Sequence, residues 1–302
     1  MTKVRVAILG SGNIGTDLMM KILKANGHLE LVLMAGIDPA SDGLKRAQQA
    51  GIATTADGIE GILAFDNIQI VFDATSAYAH IDHAKQLRER NIIAIDLTPA
   101  AIGPYVIPSI NMDEHINELN INMVSCSGQA TTPLVYAVSR VAPILYAEII
   151  ATISSPSIGM GTRQNLDEFT ITTANAVVKV GGAQTGRAIP VINSAQPPIH
   201  MNNTVYAVLE DDIDIVQLEQ SVKEMVEAVQ QYVPGFKLKG APILDTRQTP
   251  WGQRNVVIIM NEVEGAGDYF PKYAGNLDIM TAAALQVAEK IAQNLVQKEA
   301  AL

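Results

Sequence analysis

The sequence predicts an α/β protein in two parts: a doubly wound parallel sheet at the N-terminal end and a mixed α+β segment after it. Three observations carry that reading. Short apolar, β-branched runs alternate with helical patterns over residues 1–125, as a parallel sheet covered by helices requires. A glycine-rich hexapeptide, GSGNIG, stands between the first such run and the first helical pattern. A chain of 302 residues, 48% hydrophobic and 17% charged, has the size and apolar content to build two cores.

Taken in order, KVRVAILG (3–10) suits a strand buried on both faces, and TDLMMKILKA after the glycines has helical spacing. LELVLMAGID (29–38) is a second strand ending in Asp38. Further strands follow at IQIVFDAT (68–75), NIIAIDLT (91–98) and INMVSC (121–126), with a helix at AHIDHAKQLRER after the first of them. The middle of the chain reads as strands near 147–154, 204–210 and 255–262 and helices near 164–180 and 214–233. QPP and YVPG mark turns within it. The expected division is a nucleotide-binding domain over 1–125 and a catalytic and dimerisation domain over 126–275. A last helix, 276–300, is expected to return to the first domain.

A lone G-x-G-x-x-G is a weak signal, but here a strand precedes it, a helix follows, and an acidic residue closes the next strand. Gly10 permits the tight turn, Gly12 lets the backbone approach a pyrophosphate, and Gly15 lets helix and strand pack closely. The segment Gly10, Ser11, Gly12, Asn13, Ile14, Gly15 thus reads as a phosphate cradle at a helix start. Asp38 can accept hydrogen bonds from both ribose hydroxyls, whereas a 2′-phosphate would meet its like charge, with no arginine before Arg46. NAD is therefore expected rather than NADP.

Cys126 is the single cysteine, so no internal disulfide can form, and no C-x-x-C or cysteine and histidine cluster suggests a metal. His28, His80, His83, His115 and His200 are scattered and most read as surface or helix residues; no metal site is expected. Cys126 follows the last strand of the nucleotide domain and precedes a helix in which Pro133 suits the first turn and Thr131 or Thr132 the cap. That position lowers a thiol pKa and offers amides to an oxyanion, as nucleophilic acyl chemistry needs. A net charge of −10 repels nucleic acid and anionic lipid, so a small-molecule substrate is expected. MTKVRVAILG lacks the pattern of a signal peptide and no apolar run reaches membrane length, which points to a cytoplasmic protein without membrane attachment.

GSGNIGTDLM, VFDATSA, IDLTPAAIGPY, INMVSCSGQAT, AVSRVA, GTRQNLDEFT and YAGNLDIMT, in this order, resemble the acylating acetaldehyde dehydrogenases that work with a 4-hydroxy-2-oxovalerate aldolase in the degradation of aromatic compounds. The resemblance runs over nearly the whole chain. It implies conversion of acetaldehyde, NAD and coenzyme A to acetyl-CoA and NADH, with Cys126 carrying the acyl group. It also implies a catalytic domain similar to that of glyceraldehyde-3-phosphate dehydrogenase, a homodimer, and a complex with the aldolase. By the same resemblance Ser157, Ile158, Gly159, Met160, Gly161, Thr162, Arg163, Gln164 and Asn165 line the cofactor, and Asn276 lies near the nicotinamide, though it also suits a helix cap. Asn203 stands where the family carries an aspartate that helps the thiol, and asparagine cannot take a proton; it also suits the end of a turn. Two rivals are a phosphate-dependent semialdehyde dehydrogenase, which needs arginines and a histidine that the region after Cys126 lacks, and a non-catalytic NAD-binding partner of an aldolase.

Overall fold

The computed structural model describes residues 3–159, 163 and 166–300, which fall into two compact units. The first comprises Met1–Val106, Met112–Met123 and Met280–Leu302; the second comprises Ile107–Asn111 and Val124–Ile279.

The first unit is built on strands β1 (Val4–Leu9), β2 (Leu29–Ala35), β3 (Ala53–Thr55), β4 (Ile70–Asp73), β5 (Ile93–Asp96) and β6 (Asn120–Asn122), all parallel, in the order β3-β2-β1-β4-β5-β6. Helices α1 (Asn13–Lys24), α2 (Asp42–Gln49), α3 (Gly58–Leu63) and α4 (Ala77–Glu89) connect them. This is the Rossmann arrangement, with the order of the sheet reversing between β1 and β4. Val6, Ile8, Ile70, Phe72 and Ile95 are fully buried, because helices on both faces leave no solvated side for strands this apolar. The sixth strand ends at Asn122 rather than running to Cys126.

The second unit pairs β7 (Ile144–Ser154), β8 (Ala183–Asn193), β9 (Met201–Leu209), β10 (Phe236–Leu238), β11 (Ile243–Thr249) and β12 (Gly252–Val263) in the order β10-β12-β9-β7-β8, with β11 on β12. β7 and β8 are parallel and the other pairs antiparallel. Helices α5 (Cys126–Ser139), α6 (Leu166–Lys179) and α7 (Ile215–Gln230) pack with α5 at their centre. Strand register puts Ala147, Ile149, Val205, Ala207, Val257 and Ile259 on the face that α5 covers, and all six are buried. β8 carries Pro190, which is tolerated because β8 pairs only with β7 and is an edge.

The last helix, α8 (Gly275–Ala300), gives its first residues to the second unit and the rest to the first. There Asp17 Oδ2 accepts from Thr281 Oγ1 at 2.5 Å, and Glu289 Oε2 accepts from the His28 amide at 2.9 Å. No helix among the described residues is long and apolar enough to cross a membrane.

Candidate active site

In the first unit Gly10 has φ +115°, and a Cβ there would stand 2.6 Å from the Ala74 carbonyl oxygen, so this turn admits only glycine. A Cβ on Gly15 would collide with the Gly10 carbonyl, whereas one on Gly12 would meet nothing within 4 Å. Gly12 therefore faces open space at the N-cap of α1, the end of a helix suited to a pyrophosphate. Ser11 Oγ accepts from Ser41 Oγ at 2.9 Å, and Asn13 and Ile14 form the first turn of α1. Asp38 lies beyond the end of β2, exposed, with Oδ1 accepting from the Ala40 amide at 2.9 Å. Arg46 is engaged with Asp42, which leaves Asp38 to set the sign of the ribose subsite. These residues fit NAD.

In the second unit Cys126 is the first residue of α5, earlier in the helix than the sequence signals suggested. Ser125 is the cap: its Oγ accepts from the Gly128 amide at 2.9 Å and lies 2.6 Å from Thr173 Oγ1. Thr131 and Thr132 are inside the helix, and so is Pro133, which has no N–H to give the helical ladder. The local extended backbone of Ser125 and its acceptor oxygen outweigh the proline signal. Just before it, Val124 has φ 66°, a left-handed conformation rare for a β-branched residue and costing of order 1–3 kcal/mol, which the surrounding packing must hold.

Cys126 is 8% exposed. Burial pushes its thiol up to about 12, and the neighbouring polar groups of Ser127 and the backbone at the helix start oppose that rise without offsetting it. The expectation of a lowered thiol pKa is thus corrected: amides at the helix start favour the thiolate, but desolvation outweighs them.

Asn203 sits inside β9 instead of ending a turn, 3% exposed, opposite Ala151 on one side and Asn261 on the other. Among the described residues neither Nδ2 nor Oδ1 of Asn203 has a partner. Asn261, fully buried on the same face, donates through Nδ2 to the Ala130 carbonyl of α5 at 3.3 Å. Sequence reading missed Asn261; the signal was a polar residue at an inward position of the alternating run VVIIMNEV.

Ser157 and Ile158 are buried in a short 3-10 turn and the segment after it, and Gly159 is exposed. Arg163 turns back on this loop, with Nη2 3.1 Å from the Ser155 carbonyl and Nε 3.3 Å from that of Ile158. Met160, Gly161, Thr162, Gln164 and Asn165 lie outside the described residues. Asn276 is the second residue of α8 and does not cap it; its Nδ2 donates to the Ser157 carbonyl at 3.2 Å, which brings these two sequence-predicted residues together. His80 is a helix residue of α4 and fully buried.

Fold and site define a two-unit oxidoreductase with an NAD-binding Rossmann unit. Residues 5–119 match the family described as semialdehyde dehydrogenase, NAD binding domain, and 126–271 that described as prokaryotic acetaldehyde dehydrogenase, dimerisation. An acetaldehyde dehydrogenase of Chloroflexus aurantiacus is 60% identical over 98% of this chain and 97% of its own. One from Thermus thermophilus is 58% identical over 98% and 97%. Among solved structures, aspartate semialdehyde dehydrogenase II of Vibrio cholerae superimposes with a TM-score of 0.62 at 14% identity, covering 98% of this chain and 99% of that one, a likeness of fold. The chain belongs to the acetaldehyde dehydrogenase family.

Proposed function

We propose that this chain oxidises acetaldehyde, and other short aldehydes, with NAD and coenzyme A to acetyl-CoA and NADH through a thioester on Cys126. The observation that supports it most is the position of Cys126, the sole cysteine, as first residue of a helix capped by Ser125 Oγ. Bound NAD would supply a hydride acceptor, and in the first unit the Gly10–Gly15 loop and Asp38 would hold it. The Cys126 thiolate adds to the aldehyde carbon, and the carbonyl oxygen becomes an alkoxide that α5 amides can stabilise. With hydride removed from that carbon a thioester remains. The thiolate of coenzyme A then attacks it, taking the acyl group and returning Cys126 as thiolate. Burial of the first turn of α5 keeps water from the thioester.

The dimerisation-domain match supports a homodimer. The sheet face away from α5 is the candidate surface: Tyr146, Tyr206, Val208, Val256 and Ile258 cluster there, and Trp251 lies against Tyr146 with ring centroids 5.8 Å apart. The reading also includes a cytoplasmic setting, a role in aromatic degradation and a complex with a 4-hydroxy-2-oxovalerate aldolase, which would pass on a volatile aldehyde. NADH formation from acetaldehyde with coenzyme A or phosphate supplied singly tests the chemistry. Activity with coenzyme A is expected, and activity with phosphate alone would favour the semialdehyde dehydrogenase reading. Co-sedimentation with the aldolase at micromolar concentration tests the partner.

A further inference from the structure

The carboxyl ends of the first unit's strands hold a buried charged cluster. Asp73 ends β4, Asp96 ends β5, and both are fully buried. His80 of α4 stands between them, its Nδ1 2.9 Å from Asp73 Oδ2 and its Nε2 3.4 Å from Asp96 Oδ2. His83 brings its Nδ1 within 2.8 Å of the same Asp73 oxygen. The remaining carboxylate positions hold the backbone that follows each strand. Asp73 Oδ1 accepts from Thr75 N at 3.0 Å and from Thr75 Oγ1 at 2.5 Å, and Asp96 Oδ1 accepts from Thr98 N at 2.7 Å. Asp96 Oδ2 also accepts from Asn122 Nδ2 of β6 at 3.0 Å.

Two carboxylates buried this close repel each other and each pays for lost hydration unless a cation stands between them. The chain they hold adjoins the glycine-rich loop: Ala74 N donates to the Leu9 carbonyl at 2.8 Å, and the Ala74 carbonyl is the atom a side chain at Gly10 would strike. This is where sheet order reverses, the crevice in which such sheets bind their ligands.

We propose that His80, as an imidazolium bridging Asp73 and Asp96, is a positioning residue for NAD: it fixes the Ala74–Ser76 chain that walls the glycine-rich loop. The proposal rests on NAD binding by this unit. Burial pulls the His80 pKa down, and the hydrogen bond with Asp73 and the charges of Asp96 and Asp73 outweigh it, leaving a net upward shift. Burial pushes Asp96 up to about 6 against the charge of His80. Burial would also raise Asp73, but hydrogen bonds with His80, His83 and Thr75 hold it well below the usual carboxylate range. The groups facing His80 are Asp73 of β4, Asp96 of β5 and the neutral Asn120 of β6, while His83 of its own helix shares Asp73. The imidazolium is fully present below the ordinary histidine value of ~6.5 and is lost as pH rises through the raised folded value, while Asp96 carries its charge only above about 6.

The test is the Kd for NADH, by fluorescence, of the full-length protein and of His80→Gln between pH ~6 and ~9, with melting temperatures alongside. Wild-type affinity is expected to weaken about tenfold toward high pH, the worth of one charge-assisted hydrogen bond. His80→Gln is expected to bind about tenfold more weakly near pH 7, with a flat profile, a raised KM for NAD and kcat at saturating NAD within about twofold. Wild-type affinity and pH profile in His80→Gln, whatever its melting temperature, would overturn the proposal. If that variant does not fold, Thr75→Val keeps every charge and removes only the hydroxyl bond to Asp73. A Kd raised severalfold there supports the proposal and an unchanged Kd overturns it. Absence of NADH binding by the wild type would overturn the NAD reading as well, which separates the two failures.

Discussion

Replacing Asn203 by aspartate asks how a buried thiol loses its proton. With Cys126 pushed up to about 12, roughly one molecule in 10⁵ would carry the thiolate unaided at pH ~7. Asn203 lies opposite Asn261, whose amide reaches α5 one turn beyond Cys126, and no cation is bonded to either side chain among the described residues. A carboxyl at 203 would be desolvated there, raising its pKa from ~3.9 to about 7. A raised acid pKa means the folded chain holds the proton more tightly. The penalty is therefore absent below pH ~4, grows as pH rises to about 7, and levels off near 4 kcal/mol. In exchange the site gains a base with a pKa near the working pH, worth about a hundredfold or more. The assay is kcat/KM for NADH formation against pH at saturating coenzyme A, with melting curves at each pH. Asn203→Asp is expected to be about a hundredfold faster near neutrality, with an ascending limb near pH 7 and a melting temperature that falls relative to wild type as pH rises. An unchanged rate and profile would show that residue 203 only packs the sheet.

Gly12→Val is expected to fold normally, since its side chain meets open space, but to lose NADH binding, while Gly10→Ala should lose stability through its positive φ and the Ala74 carbonyl; calorimetry with and without NADH separates the two. Asn276→Ala removes the hydrogen bond to the Ser157 carbonyl and should raise KM for NAD severalfold in steady-state kinetics. Tyr206→Arg puts a charge on the outer face of the second sheet and should weaken the dimer by about a hundredfold in sedimentation equilibrium, leaving the melting of the isolated chain nearly unchanged.

The Rossmann unit was legible because its signals are local. GSGNIG needs only a strand before it and a helix after it, and the apolar runs at β1, β2, β4 and β5 allow no other burial. β3, β10 and β11 were not legible: they are short or half-exposed and take their strand character from neighbours far along the chain. Pro190 hid β8, since only its edge position makes proline acceptable. At the site, Cys126 was legible as the lone thiol beside a helix start, but Pro133 displaced the expected helix start by most of two turns. The role of His80 was not legible because its two carboxylate partners come from strands 7 and 16 residues away, a pairing that no local pattern announces. Asn261 was missed for the same reason, its meaning depending on the register with Asn203.

The central claim, acyl transfer through Cys126, is tested most directly by mixing the protein with NAD and acetaldehyde without coenzyme A and reading NADH and intact mass together. A stoichiometric burst of NADH, an added acetyl group mapped to Cys126, and its discharge by coenzyme A but not by phosphate are expected. Steady turnover with no acetyl on Cys126, or wild-type turnover in Cys126→Ser, would contradict it.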